Sequence, residues 1–275
     1  MCFAEAHPGE DTSSGVLALK KEEMYYIGVD IGSTSAKTAV LDENKNILDL
    51  FVQPTGWSSV DTAEAIGKKL RDKGFPPEEG RTVSTGYGRV AVPFSDKTVT
   101  EITCHAKGAS AIFGTDELMV IDIGGQDTKV ILIENGFVKD FVMNDKCSAG
   151  TGRFLEVMAG TLALRPDELC TLAASGGKTS ISSLCTVFAE SEVISLIGKG
   201  EKKENIAFGV VDSIVRKVAV QATRMLSPEK SVVLTGGLCE CDYICDALGK
   251  ELKTEVKTDP RARYAGAIGA AILAM

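Results

Sequence analysis

The chain has 275 residues and lacks most of the signatures that settle a function early. No GxxxxGK[ST] string occurs, so a P-loop nucleotide site is absent. No run of Lys and Arg occurs either, and 30 basic against 38 acidic residues leave a net charge of -8. Nucleic acids are gripped by clustered cations, so this balance argues against nucleic acid as a partner. The longest apolar run, Ala265 to Met275, has 11 Gly- and Ala-rich residues. That is well short of the roughly 20 needed to span a bilayer, so no membrane partner is expected. Residues 1–24 have no basic start and only Val16 to Leu19 as an apolar stretch, unlike a secretory leader. They read as a flexible N-terminal extension, and the protein is expected to be cytoplasmic.

What is present is an ordinary globular composition, 44% hydrophobic and 25% charged, with eight cysteines. At roughly 150 residues per domain, the length fits one large core or two smaller ones meeting at a cleft. Cytoplasmic thiols are kept reduced, so the cysteines do not form a disulfide framework. Most read as small buried hydrophobes, and a metal or redox role is reserved for a subset.

The strongest internal signal is a repeat. VDIGSTSAKTAVL at Val29 to Leu41 and IDIGGQDTKVILI at Ile121 to Ile133 align Asp30, Ile31, Gly32 and Lys37 with Asp122, Ile123, Gly124 and Lys129. Each copy reads as a strand, a Gly turn and a second strand, and each continues into a further apolar run. Helical spacing is expected at Val60 to Lys73, Ile102 to Phe113, Gly150 to Leu162, Thr186 to Gly198, Asn205 to Met225, Cys241 to Leu252 and Ala265 to Met275. Alternating strands and helices around a duplicated core predict an α/β protein of two sheets facing a cleft.

A Gly turn lets backbone N–H groups approach a phosphate with no Cβ in the way. The first turn, Gly32, Ser33, Thr34, Ser35, Ala36 and Lys37, adds hydroxyls and a cation; the second offers Gly124 and Gly125. Asp30 and Asp122 precede the turns, placed to hold the waters of a phosphate-bound Mg²⁺. Gln126, and after it Asp127, is the candidate for orienting an attacking water. Gly236 and Gly237 end the strand SVVLTGG, and Gly266 opens the last helix, bare backbone of the kind that holds adenine and ribose. DIGST, DIGGQD and LTGG together resemble the phosphate-1, phosphate-2 and adenosine motifs of the sugar kinase, heat-shock chaperone and actin superfamily. The fold expected is therefore the actin-like ATPase fold, with two duplicated lobes around a nucleotide cleft. Residues 25–116, completed by 262–275, would form one lobe and 117–261 the other.

Two cysteines stand apart. Cys147 precedes the apolar stripe Phe154, Leu155, Met158 and Leu162, and Cys185 precedes Val187, Ile194 and Ile197. Both are expected at helix N-termini, where a thiolate gains from the helix dipole and free N–H groups and suits a metal or an anionic cluster. Two ligands complete neither a zinc site nor an iron-sulfur cluster, but a twofold dimer would supply two plus two.

The combination GVDIGST, STGYGR, CHAKGAS, DIGGQDTKV, MNDKCSAGTGRF, CTVFAESEV and TGG resembles the ATP-dependent activators of 2-hydroxyacyl-CoA dehydratases, relatives of the benzoyl-CoA reductase ATPase subunits. The resemblance runs from about Tyr26 to Ala274. It implies a homodimer carrying one bridging 4Fe-4S cluster on Cys147 and Cys185 of each subunit. It also implies ATP-driven one-electron transfer from a ferredoxin or flavodoxin to a partner dehydratase or related iron-sulfur reductase. The rival readings are a small-molecule kinase or plain ATPase of the same superfamily without a cluster, and a nucleotide-dependent filament or regulator. The residues give no role to Cys104, His105 or Cys170, read as packing, nor to the Cys239, Cys241 and Cys245 group, read as incidental. Tyr87 and Arg89 are expected near the cleft or the partner surface, and Cys2 and His7 receive no assignment.

Overall fold

The computed structural model describes residues 24–183 and 185–275. Apart from Met24, the N-terminal extension with Cys2 and His7 lies outside the described residues. The first sheet contains β1 (Tyr25–Ile31), β2 (Ser35–Asp42), β3 (Ile47–Pro54), β4 (Arg81–Thr85) and β5 (Lys97–Thr98), in the order β3-β2-β1-β4-β5. The second contains β6 (Leu118–Ile123), β7 (Thr128–Glu134), β8 (Phe137–Asn144), β9 (Ser231–Gly236) and β10 (Val256–Lys257), in the order β10-β9-β6-β7-β8. These are the same arrangement read from opposite edges. In each, the leading strand pairs antiparallel with the next and parallel with the strand that returns after the helical insertion. The sequence repeat is thus a repeat of whole sheets: Asp30 stands opposite Lys37 across β1 and β2, and Asp122 opposite Lys129 across β6 and β7.

Among the described residues, eight α-helices surround the sheets: α1 (Ser59–Asp72), α2 (Glu101–Phe113), α3 (Gly152–Thr161), α4 (Pro166–Ala173), α5 (Thr186–Gly198), α6 (Lys203–Thr223), α7 (Asp242–Leu252) and α8 (Ala265–Ile272). Ser58 caps α1 by accepting from the Asp61 amide, and the helix buries Ala63, Ile66, Gly67 and Leu70, the stripe expected from spacing. Alternation decides which side of a strand each residue serves. Ile27, Val29 and Ile31 pack on α1, while Met119, Ile121 and Ile123 join the larger core built by α3 to α7. The opposite faces are also covered, which is why both leading strands read as almost unbroken apolar runs.

Two helices join the sheets. Helix α8 lays Ala267, Ile268, Ala271 and Ile272 on Ala39 and Leu41 of the first sheet. Helix α2, inside the segment assigned by sequence to the first lobe, instead packs Ala106 and Ala109 on Leu118, Val120, Ile131 and Val233 of the second. The two helices cross in backbone contact. A Cβ added at Gly269 would lie 1.8 Å from the Cys104 carbonyl oxygen, and one at Gly108 would lie 1.9 Å from that of Ala265. Gly269→Val is expected to force the helices apart and cost at least about 1–3 kcal/mol, the usual penalty for overpacking. Chemical denaturation of the purified variant checks this, and an unchanged midpoint would contradict the backbone contact.

Candidate functional site

The two Gly turns face one another across a cleft lined by Asp30, Gly32, Ser33, Thr34, Ser35 and Lys37 on one side and by Asp122, Gly124, Gly125, Asp127 and Gly236 on the other, with Arg263 also lining it. The lobes nearly touch here. A Cβ at Gly125 would sit 2.1 Å from Thr34 Oγ1, so only glycine admits the first turn this close. Each turn closes on itself, Gly32 N–H donating to Ser35 O at 3.2 Å and Gly124 N–H to Asp127 O at 2.9 Å. Two further glycines with φ near +85° press against the carboxylates: a Cβ at Gly86 would come within 2.6 Å of Asp30 Oδ1, and one at Gly236 within 2.7 Å of Asp122 Oδ1. Gly86 went unassigned in the sequence, although the Thr-Gly pairs Thr85-Gly86 and Thr235-Gly236 repeat the duplication.

The two aspartates, equivalent by sequence, have different surroundings. Asp122 is fully enclosed: His105 Nε2 lies 3.3 Å and Lys129 Nζ 3.4 Å away, and Thr235 Oγ1 donates to it at 3.0 Å. Burial alone would raise its pKa, but the neighbouring charges of His105 and Lys129 hold the carboxyl well below the usual range. Lys129 also meets Glu101 at 2.9 Å and Asp127 at 2.8 Å, so it is committed to three carboxylates and has no freedom to reach a phosphate. Asp30 is equally buried, yet its Oδ1 has no hydrogen-bond partner. An orphaned carboxylate oxygen on a residue that lines the cleft fits a hard cation, which takes one or two carboxylates and keeps several waters. Asp30 is therefore the better fit for Mg²⁺, and the symmetric expectation for Asp122 is weakened because its charge is already matched. Lys37 lines the same space with no ion-pair partner among the described residues.

His105, read from the sequence as packing, belongs to this network. Burial pulls its pKa down, but Asp122, Glu101 and Asp30 outweigh that and push it up to about 9. The folded value exceeds the ordinary His value, so its contribution to stability is complete below about pH 6.5 and is lost as pH rises to about 9. Wild-type protein is expected to lose melting temperature across that window more steeply than His105→Gln; parallel curves from thermal scans would contradict the charged pair. Glu101 and His105 sit at i and i+4 on α2, a spacing that would have placed both on one face.

Other expected site residues fall differently. Ala36 is buried in the core under α1, because alternation along β2 turns it away from the cleft. Gln126 is exposed and does not line the cleft, whereas Asp127, the second choice, is buried in it. The Tyr87 hydroxyl donates to Asp127 Oδ2 at 3.1 Å, bridging the lobes. Gly266 backs Asp30, its missing Cβ lying 2.6 Å from Oδ2. Gly237 faces an adjoining pocket between α4 and α7.

Cys147 and Cys185 are both exposed and free. Cys185 is the N-cap residue of α5, as expected. Cys147 is not at a helix start: α3 begins at Gly152, and the intervening loop winds around Asn144, whose Nδ2 donates to the carbonyls of Cys147 and Ala149. Gly150 turns this loop at φ +82°, and Thr151 Oγ1 closes it on Ser148 O at 2.6 Å. The loop nevertheless joins the second cysteine, since Ser148 Oγ and Thr186 Oγ1, the residues after each thiol, are 2.7 Å apart. It also joins the cleft. The Gly152 and Arg153 amides donate to Gly124 O and Gly125 O at 2.9 and 2.7 Å.

Comparison with known proteins agrees with this geometry. The chain is 43% identical over 254 residues to the (R)-2-hydroxyglutaryl-CoA dehydratase activating ATPase of Acidaminococcus fermentans, an alignment covering 91% of this chain and 97% of the relative. The solved activator of the 2-hydroxyisocaproyl-CoA dehydratase from Clostridium difficile, with bound ADPNP, superposes with a TM-score of 0.85 at 37% identity, over 91% of this chain and 94% of that one. A ROK family glucokinase from Streptomyces griseus matches with a TM-score of 0.58 at 16% identity, over 90% of this chain and 98% of that one, a likeness of fold alone. The fold is the actin-like ATPase fold expected from the motifs. The model of the BadF/BadG/BcrA/BcrD ATPase family matches residues 27–274, and the chain belongs to that family.

Proposed function

We propose that the protein is an ATP-dependent one-electron activator of a 2-hydroxyacyl-CoA dehydratase or related iron-sulfur reductase. It works as a homodimer with one 4Fe-4S cluster held by Cys147 and Cys185 of both subunits, and takes its electrons from a ferredoxin or flavodoxin. The observation that carries this reading is the set of hydrogen bonds that ties the phosphate turn to the loop bearing Cys147, and that loop to the segment bearing Cys185: the Gly152 and Arg153 amides to Gly124 O and Gly125 O, and Ser148 to Thr186. A kinase or plain ATPase has no use for two free thiols wired to its phosphate turn. Thiolate donors suit an iron-sulfur cluster, and two per subunit leave half a ligand set. When bound, the cluster supplies the one-electron carrier.

The apolar surface beside the cysteines supports the dimer. Val187, Phe188 and Ile194 on α5 are each more than half exposed, a patch that begins two residues after Cys185 and favours burial against a second copy. In the cleft, Lys37 and the first-turn backbone would meet the phosphates, and Asp30 would hold Mg²⁺, which neutralises phosphate charge. Gly236 and Gly237 would flank the adenosine. Asp127 or the rim residue Gln126 would orient the attacking water. Phosphate contacts would pull the Gly124–Gly125 turn toward the first lobe; the α3 start, hydrogen-bonded to it, would follow, and the α5 start would be drawn along through the Ser148–Thr186 bond.

Mixing anaerobically reduced protein with a 2-hydroxyacyl-CoA dehydratase tests the reading. Dehydration is expected to begin with ATP and not with ADP. Turnover of ATP with no activation of any such dehydratase would refute it.

A further inference from the structure

Four cysteines lie in the second lobe away from the exposed pair. The Cys245 thiol is committed to Val256 O at 3.0 Å, and Cys239 is buried in the core. Cys170 and Cys241 differ. Cys170 on α4 and Cys241, the N-cap residue of α7, both line a pocket of about 560 Å³ that continues past Gly237 and Tyr243, and Cys241 packs against the apolar cluster that contains Cys170. This is the pocket next to Gly236, where the proposed function places the adenosine, and the inference rests on that reading.

We propose that Cys170 and Cys241 form a redox-active dithiol that gates this pocket, closing to a disulfide with a peroxide as oxidant and excluding the nucleotide. Tertiary placement gives the two thiols different roles. Hydrogen bonding from Cys170 outweighs burial and, with the Ile244 and Tyr243 amides at the α7 start, holds the Cys241 thiol below its ordinary value. Cys170 is pushed up, first by that hydrogen bond and then by burial. Cys241, half-buried, is the attacking thiolate: its sulfur takes one oxygen of hydrogen peroxide as the O–O bond breaks, giving a sulfenic acid and hydroxide. The Cys170 thiol then displaces the sulfenic oxygen, which leaves as water with the thiol proton. Two electrons pass from the two sulfurs to one peroxide. The new bond ties α4 to the first turn of α7 and narrows the pocket between them.

The test treats the full-length protein with hydrogen peroxide, maps disulfides by peptide mass spectrometry, and titrates ADP before and after, then again after dithiothreitol. The expected result is a Cys170–Cys241 cross-linked peptide, a loss of ADP affinity of about tenfold or more, equivalent to about 1.4 kcal/mol, and recovery on reduction. Bound ADP should slow the cross-link, and Cys170→Ser and Cys241→Ser should each make ADP binding insensitive to peroxide. Absence of the cross-link while Cys147 and Cys185 are oxidised would overturn the dithiol and leave the pocket reading standing. A cross-link that neither slows with ADP nor changes its affinity would overturn the gate and place the base elsewhere.

Discussion

Cys147→Ser and Cys185→Ser are each expected to abolish activation of a partner dehydratase while leaving the fold and nucleotide binding intact. Both cysteines are exposed, so replacing sulfur by oxygen should change stability by no more than about 0.5 kcal/mol, the usual range for surface positions. The hydroxyl is a poor ligand for iron, and in a shared site each substitution removes two of the four ligands at once. The loss should therefore be complete in either single variant. Visible absorption, ATP turnover and dehydratase activation measured on the same samples separate the effects: colour and activation vanish, nucleotide binding persists. A variant that retains activation would show that its thiol is not a ligand.

The second large effect distinguishes the two aspartates. Asp30→Asn is expected to lower ATP turnover by about a hundredfold or more, the scale seen when one preorganised electrostatic group is removed, with little change in stability. The unpartnered Oδ1 makes no interaction that folding depends on, and neutralising a buried carboxylate removes a desolvation cost. Asp122→Asn should do the reverse in one respect. It leaves buried Lys129 and His105 short of a counter-charge, which costs roughly 3–5 kcal/mol when a buried pair is broken. Denaturation curves paired with ATPase assays check both. Equal stability of the two variants would contradict the difference between an orphaned and a fully paired carboxylate.

Much of this was legible in the sequence because the signal was repeated. The aligned Asp-Ile-Gly motifs gave the duplicated sheets, and period-3.6 stripes such as Ala63, Ile66 and Leu70 gave the helices. Bare glycines marked the phosphate turns. What stayed hidden depends on tertiary placement. His105 reads as packing and Glu101 has no reading until α2 is seen to cross onto the second sheet and carry them to Asp122. Lys129 matches Lys37 residue for residue, yet only one of them is neutralised, since carboxylates at Glu101 and Asp127 have no counterparts in the first lobe. The helix expected from Gly150 forms, but Cys147 stands well ahead of its start for a local reason. Asn144 and Gly150 organise the chain into a loop there, a competition between side-chain hydrogen bonds and helix that apolar spacing does not register. The approach of Cys170 to Cys241 joins positions far apart in sequence and left no trace in it.

The most direct test of the bridging half-site is the iron and acid-labile sulfide content of anaerobically purified wild-type protein, taken with its mass in solution. The expected result is about two iron and two sulfide per chain in a dimer, because each subunit brings two cysteines to one 4Fe-4S cluster. About four iron per chain, or a stable dimer prepared without oxygen that holds none, would contradict it.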